Sequence, residues 1–562
     1  MKELILPNNC LKFPTDPSYI KDYFESQSKY NYNTCKYLFM WSTLADKYAN
    51  DKVYQKNFWT SLKTVINKEL KTLAFPTDFK DDLLKMQEIK IKYSEEKKLY
   101  NKEHKEEIKL EKEKEKTEFG YATVNGELVE IGNRLIESSR IFIGRGECKY
   151  RGTIIADVVA EDVKINSSKP YPCNMEGHNW GEVSFKDNMS IATYTEHNLE
   201  NTVKIEKAIW FSTKSEFKAD SDEHKFEKAR LLNLHLSKVN KAIKEKCLSN
   251  DIKDKQIGCC AYIISKFGIR AGNEDKRDNG VVGASTLKIE NVEIYADKTS
   301  IHLNFLGKDS MVFDQTLKVD EWVLKPLWDI MCIEGSLVRN GKEQIFNKIN
   351  SSDVNKFLQS ICKDIPDLSN KTFRTEWASD ILAKLMRETN WENLSDKQFK
   401  LKLDEIQMQV AKKLNHHKTV DSDKMKEDKK KNKEKIKLAK EKLEKNKQEY
   451  ANKILLYENT LKVSHDSNKI KTCKEKIKYY KEKEKKDIEK FLEMKAQMDF
   501  KISIGDISLQ TSRLNYCDVR LYYSLLNKYE KRADLIFTKA LQERFKWAKN
   551  TAFEFYEKYP RI

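Results

Sequence analysis

Close to the C-terminus stands Thr511-Ser512-Arg513-Leu514-Asn515-Tyr516, directly after a long lysine-rich run. Tyr516 is the candidate nucleophile. A phenol with an ordinary pKa of about 10 stays protonated at neutral pH, so attack on phosphorus needs cations that stabilise the phenolate and the charge on the phosphoryl oxygens. Upstream stretches offer them: Ile269-Arg270-Ala271-Gly272-Asn273-Glu274, Phe305-Leu306-Gly307-Lys308-Asp309-Ser310, Phe373-Arg374-Thr375 and Asn415-His416-His417. Two guanidiniums and one imidazole can clamp both non-bridging oxygens of a phosphodiester, where charge builds in a pentacoordinate transition state. The runs from Lys288 to Ile294 and from Ser300 to Phe305 alternate like paired strands, so Lys308 falls on a turn from which an ammonium can reach into a groove. No acidic cluster suited to Mg²⁺ and no Gly-rich GK[ST] loop for ATP accompanies these residues, and no cofactor is expected.

Each of these side chains has a commoner use when taken alone. An arginine at a helix end is usually a surface ion-pair partner, and an exposed histidine is usually idle. Their order, Arg, Lys, Arg, His and then Tyr, and their flanks change that reading: Arg270 is followed by Ala-Gly-Asn-Glu, and Tyr516 closes Ser-Arg-Leu-Asn-Tyr. In these features the chain resembles the eukaryotic-type DNA topoisomerases of class IB, from about Phe119 to the end. The resemblance implies transition-state stabilisation by Arg270, Arg374 and His416, with Lys308 as the general acid that protonates the leaving 5′ oxygen. It implies a 3′-phosphotyrosine on Tyr516 and no requirement for ATP or metal. The Asn-His order selects His416 rather than His417. Ile143-Gly144-Arg145-Gly146 is a turn whose glycines let the backbone approach a ligand while the guanidinium reaches a phosphate or a base edge. By resemblance Arg145 contacts DNA near the break, and Lys207, Lys225, Asn273, Asn355, Lys371 and Asn515 are further DNA-binding positions.

These side chains must be held by a sizeable scaffold. The 562 residues suffice for several domains, and 105 Lys plus Arg against 88 Asp plus Glu give a net charge of +17 and a pI near 9.0, which suits a polyanionic partner. Eleven cysteines without paired CxxC spacing argue against a disulfide framework or zinc site, and Cys259-Cys260 in an apolar run reads as core filling. No run approaches the roughly 20 apolar residues of a membrane span, and the start lacks the apolar length of a signal peptide, so a soluble protein is expected.

The expected fold class is α+β with an antiparallel coiled-coil linker; the resemblance implies a mainly helical catalytic core and a mixed α/β cap half that form a bilobed DNA clamp. Residues 1–197 are expected to form the N-terminal cap half. Within it the Lys/Glu-rich stretch from Leu83 to Lys116 reads as one long exposed helix, and short β-like runs begin after Phe119. Residues 198–419 form the expected catalytic core, 420–500 the linker hairpin and 501–562 the C-terminal domain carrying the tyrosine. Residues 421–500 hold 25 Lys against 17 Asp plus Glu, and Ile436, Leu443, Tyr450 and Tyr457 recur every seven positions. Ile470, Cys473, Ile477, Tyr480, Phe491, Met494 and Met498 keep an a/d-like register in a second arm, with a break at Ser464-His465-Asp466-Ser467-Asn468.

Two other readings compete. A tyrosine recombinase shares the same side-chain chemistry but assembles several protomers on a defined site. A basic coiled-coil scaffold that binds DNA without cutting would account for the charge and the heptads, though not for the motif flanks. The favoured reading is a monomeric enzyme that relaxes supercoiled duplex DNA. Resemblance places it in the nucleus, with Lys426-Glu427-Asp428-Lys429-Lys430-Lys431 as an import signal and viral or organellar origin left open.

Overall fold

The computed structural model describes residues 1–144, 148–173, 175–272, 280–295, 299–333, 337–418 and 422–561. The chain divides into two compact units. The first is built mainly from residues 1–223 and includes Leu303–Gln315; the second is built mainly from residues 224–562.

The first unit begins with four helices, α1 (Ser18–Glu25), α2 (Tyr32–Ser42), α3 (Asp46–Ala49) and α4 (Lys52–Leu62). Asn31 caps α2 by accepting from the Thr34 amide, and Asp51 caps α4 by accepting from the Val53 and Tyr54 amides, so donors that lack a helical partner are satisfied. Their inner faces meet in an aromatic core in which Phe39, Phe58 and Phe79 are fully buried, and the Trp41 and Phe58 rings lie 4.6 Å apart. The stretch expected to be one long helix is two, α5 (Lys80–Glu103) and α6 (Lys105–Phe119). At His104 the backbone leaves the helical region (φ −100°, ψ 26°), and its ring stacks on Tyr100 at 4.1 Å; the second helix starts at the next residue. Neither Lys/Glu-rich helix buries enough apolar surface to keep the break closed.

Beyond α6 a four-stranded sheet runs in the order Glu182–Ser184, Val163–Asn166, Ser190–His197, Lys204–Trp210, with the first pair parallel and the others antiparallel. Val163, Ile165, Ile191, Tyr194 and Ile209 enter a core shared with Leu4 and Val124. Gly152, at φ +91°, brings the turn before it against α4; a Cβ there would lie 2.5 Å from the Tyr54 Cα. Asn57 fastens the same turn by donating to the Lys149 and Arg151 carbonyls at 2.7 and 2.8 Å.

In the second unit the helices are α7 (Glu216–Cys247, from His224 onward in this unit), α8 (Ile252–Phe267), α9 (Glu321–Met331), α10 (Ser351–Ile361), α11 (Thr372–Glu388) and α12 (Asp396–Lys413). They continue with α13 (Ser422–Val463), α14 (Ser467–Ile504), α15 (Leu509–Asn515), α16 (Val519–Lys528), α17 (Lys539–Arg544) and α18 (Phe555–Lys558). Its core gathers Phe226 of α7, Leu382 and Met386 of α11, Phe399 and Val410 of α12, and Tyr522 and Leu525 of α16, together with Phe537 and Phe545. The element on either side of Tyr516 is thus nailed to the helix that carries Arg374. The chain is a mainly helical α+β protein, as the composition and periodicity lead one to expect.

Helices α13 and α14 form an antiparallel hairpin. Asn446 and Tyr450 of α13 both donate to the Asp487 carboxylate of α14, at 3.0 and 2.9 Å, and the Tyr450 and Tyr457 rings meet Tyr480 at 5.9 and 6.2 Å. Leu443, Tyr450 and Cys473 are buried while the lysines face outward, so the seam is narrow and the outer surface is strongly basic. Asp466 caps α14 by accepting from the Asn468 and Lys469 amides.

Candidate active site

Three helix ends and one helix face bring the site together. Helix α8 ends at Gly268, whose φ of +60° is the left-handed conformation that glycine favours, and two residues later Arg270 leaves the helix. The Arg270 carbonyl accepts from the Ala284 amide at 2.8 Å, which fixes the direction of the chain after the helix. Arg374 stands in the first turn of α11 and is almost wholly buried. Its guanidinium donates to the carbonyls of Gly268 and Leu414, the latter at 3.0 Å. Those two carbonyls are C-terminal helix groups of α8 and α12, so the buried cation also serves as a cap for both.

His416 follows Asn415, whose φ of 54° turns the chain sharply out of α12. Its carbonyl accepts from the Ser508 amide at 2.8 Å, and the Lys418 amide donates to the Asp506 carbonyl at 2.8 Å, so the segments on either side of the α13–α14 hairpin pair with each other. That pairing closes the long hairpin loop at its base and sets α15 beside the histidine. Arg513, buried within α15, is tied to Asp404 of α12 by an ion pair and leaves Tyr516 at the helix end.

The four side chains converge. Arg270 Nη1 donates to the Tyr516 hydroxyl at 2.8 Å, and the Arg374 guanidinium lies 5.1 Å from the centre of the tyrosine ring. The His416 ring is 4.9 Å from that of Tyr516, and Arg374 Nη2 meets His416 Nε2 at 3.1 Å. A guanidinium only donates, so Nε2 accepts and the neutral ring carries its proton on Nδ1. Both His416 Nδ1 and Arg374 Nε are buried without a partner among the described residues.

The electrostatics follow from this packing. Burial pushes the Tyr516 phenol up, but the charges of Arg270 and Arg374 and the hydrogen bond from Arg270 outweigh it, so its pKa lies below the usual 10. Burial, with Arg270 nearby, brings Arg374 down to about 10, which leaves it charged at neutral pH. Burial and then the charges of Arg374, Arg270 and His417 depress His416 to about 3, so its imidazole is neutral. The arrangement can therefore hold a phenolate close to two permanent cations and a neutral hydrogen-bonding ring.

Of the other candidate residues, Lys308 is exposed at the start of the turn Lys308–Ser310 and falls in the first unit. Lys207 donates to Glu137 at 3.0 Å, also in the first unit. Lys225 sits on α7 with its ammonium 4.1 Å from the Phe226 ring centre. Asn355 of α10 accepts from the Asn370 amide at 2.8 Å, Lys371 is exposed just before α11, and Asn515 is exposed at the end of α15. Arg145 and Asn273 lie outside the described residues. His417, the other half of the doublet, turns away and pairs with Asp506 at 2.7 Å. Sequence reading passes over Gly268, Ser379, Asp404 and Arg513, which hold the four converging groups. Arg513 is visible as a charge inside a short helical turn, whereas nothing in the spacing marks Ser379.

Three family descriptions match successive parts of the chain: "Eukaryotic DNA topoisomerase I, DNA binding fragment" over residues 23–207, "Eukaryotic DNA topoisomerase I, catalytic core" over 214–450, and "C-terminal topoisomerase domain" over 488–557. Among curated relatives, DNA topoisomerase 1 alpha of Arabidopsis thaliana is 27% identical over 516 residues, covering 90% of this chain and 54% of the plant protein. DNA topoisomerase 1 of Homo sapiens is 27% identical over 533 residues (92% of this chain, 66% of the human protein), and the human mitochondrial DNA topoisomerase I is 26% identical over 527 (92% and 83%). The chain spans about half the length of the plant relatives it matches.

Proposed function

We propose that this chain, which belongs to the eukaryotic DNA topoisomerase I family, relaxes supercoiled duplex DNA by cutting one strand, letting the cut end rotate and resealing it. The observation that carries the reading is the phenol of Tyr516 held at 2.8 Å by Arg270, with Arg374 and His416 against the same ring.

In the first step Tyr516 gives up its phenol proton to solvent and its oxygen attacks a backbone phosphorus. The new bond is a 3′-phosphotyrosine, the P–O5′ bond breaks, and the leaving oxygen takes up a proton. Charge on the two non-bridging oxygens is met by Arg270 and Arg374, which are already in place and need no reorganisation. His416, neutral, donates from Nδ1 or accepts at Nε2 but brings no charge of its own. We assign the proton for the 5′ oxygen to Lys308 on its motif position. The phosphotyrosine keeps the energy of the broken link, so the reverse attack by the 5′ hydroxyl reseals the strand without ATP or a required metal.

The basic hairpin of α13 and α14 is proposed to lie beside the duplex and slow rotation through its lysines, and Arg145, Lys207, Lys225, Asn273, Asn355, Lys371 and Asn515 to contact DNA. The enzyme is proposed to act as a monomer in the nucleus. Tyr516→Phe tests the central claim: the variant should bind duplex DNA yet neither relax a plasmid nor leave protein covalently attached to the 3′ end after denaturation. A covalent adduct formed by the phenylalanine variant would overturn the assignment. Relaxation of plasmids without a shared target sequence separates this activity from site-directed recombination.

A further inference from the structure

Tyr516 is held at its backbone as well as at its phenol, and its backbone contact with α11 has no place in the chemistry described above. Ser379 lies on α11, five residues after Arg374, and its side chain is wholly buried. Its hydroxyl lies 2.8 Å from the Thr375 carbonyl, one helical turn back, and 3.3 Å from the Tyr516 carbonyl. The same oxygen accepts the Asp518 amide at 3.0 Å. A serine hydroxyl has one proton and two lone pairs, so it donates to one of the two carbonyls while a lone pair holds Asp518.

One oxygen thus spans both ends of the turn Tyr516-Cys517-Asp518. On the other side of that turn the Tyr516 and Cys517 amides donate to the Ser512 carbonyl at 3.0 and 2.9 Å, and Asp518 caps α16 by accepting from the Arg520 amide. Arg374 and Ser379 ride on one rigid helix. The hydroxyl therefore ties the tyrosine backbone to the element that carries Arg374, and the separation of guanidinium and ring, 5.1 Å, is set through it. The attraction between a phenolate and a buried cation falls with distance, and a displacement of about 1 Å in a reacting group costs on the order of a hundredfold in rate.

We propose that Ser379 is a positioning residue for Tyr516, holding the nucleophile at the distance from Arg374 and Arg270 at which strand cleavage proceeds. The inference rests on the reading of Tyr516 as the nucleophile. The charged and titratable groups facing the phenol are Arg270 after α8, Arg374 on α11 and His416 after α12. Ser379→Ala leaves all of them in place and removes the hydroxyl that bonds the turn and the Thr375 carbonyl.

The test is single-turnover cleavage of a duplex whose cut strand loses the short downstream fragment that carries the new 5′ hydroxyl, measured with the full chain from mildly acid to strongly alkaline pH, alongside duplex affinity and thermal melting. Ser379→Ala should slow cleavage at neutral pH by about tenfold or more, in line with a sub-ångström displacement of the nucleophile. The deficit should shrink toward alkaline pH as the displaced phenol ionises, with duplex affinity unchanged. Ser379→Thr, which keeps the hydroxyl, should recover most of the rate. A Ser379→Ala enzyme with unaltered rate, or one slowed equally at every pH, overturns the proposal, as does an alanine variant that loses duplex binding. A threonine variant as slow as the alanine one and equally stable also overturns it. Failure of the nucleophile reading itself looks different: Tyr516→Phe would still form the covalent adduct.

Discussion

Arg270 and Tyr516, 246 positions apart in the chain, share a 2.8 Å hydrogen bond in which the guanidinium donates to the phenol oxygen. The bond and the two guanidinium charges work against burial and hold the phenol below its ordinary pKa. Removal of Arg270 therefore has two effects at once, a higher phenol pKa and one fewer donor for the phosphoryl oxygens. Arg270→Ala should slow cleavage at neutral pH by roughly 10²- to 10³-fold, the usual cost of losing one preorganised oxyanion donor. The alkaline limb of its pH–rate profile should move upward. An unshifted limb would show that Arg270 acts on the phosphate alone.

The histidine doublet gives an asymmetric expectation. His416 lies against Tyr516 and Arg374 and is held near 3, whereas His417 faces Asp506. His416 is thus neutral throughout the range in which an ordinary histidine, near 6.5, would titrate. Cleavage rates should show no inflection near that value attributable to His416. His416→Ala should lower the rate by about a hundredfold, and His417→Ala should change it only a few-fold, because its ring meets Asp506 rather than the tyrosine. Equal losses from the two variants would contradict this placement.

Much of this architecture is legible in the sequence, for reasons that differ element by element. The hairpin can be read because a seven-residue apolar repeat leaves a narrow buried seam, and Leu443, Tyr450 and Cys473 do fall there. The mainly helical α+β class can be read from the same periodicities. The break at His104 cannot, since Lys/Glu-rich helices with little buried surface carry no periodicity that marks where the axis turns. Motif flanks name Arg270, Arg374, His416 and Tyr516, but no spacing rule says that residues so far apart meet. Their meeting depends on the Ser508 amide donating to the His416 carbonyl, on the Asp518 amide donating to the Ser379 hydroxyl, and on the Gly268 carbonyl that receives Arg374. Arg145 and Asn273 lie outside the described residues, and Lys308 belongs to the first unit.

Tyr450 is the keystone of the hairpin seam: it is buried, donates to Asp487 and packs on Tyr480. Truncation leaves a cavity and an Asp487 carboxylate with one donor fewer. Tyr450→Ala should destabilise the hairpin by about 3 kcal/mol, as large-to-small changes of aromatic residues do. Hydrogen exchange should quicken over residues 422–504 while cleavage of a short duplex stays near wild type, since the site residues lie outside the hairpin. Exchange that is unchanged along both arms would mean that the seam is held elsewhere.

Glu376 offers a test of the buried scaffold that does not involve the reaction. Its side chain is buried on α11, accepts from Asn233 Nδ2 at 2.6 Å, and has Asp380 one turn further along the same helix. Burial first, and the Asp380 charge second, push its carboxyl from the usual 4.5 up to about 8, against the weaker pull of the Asn233 bond. The folded chain therefore keeps this proton over a range in which the unfolded chain has lost it. By linkage, stability falls as pH rises from 4.5 toward about 8 and then levels off. Glu376→Gln keeps the acceptor for Asn233 and removes the titration. Relative to wild type it should be near neutral at pH 4.5 and more stable at pH 8, by roughly 2 to 4 kcal/mol, because each tenfold difference in proton affinity between folded and unfolded chain corresponds to about 1.4 kcal/mol. Thermal melting of the two proteins across that range decides the matter: melting temperatures that stay parallel would mean that Glu376 is ionised in the folded state, with Asn233 and a charge-compensating group carrying it.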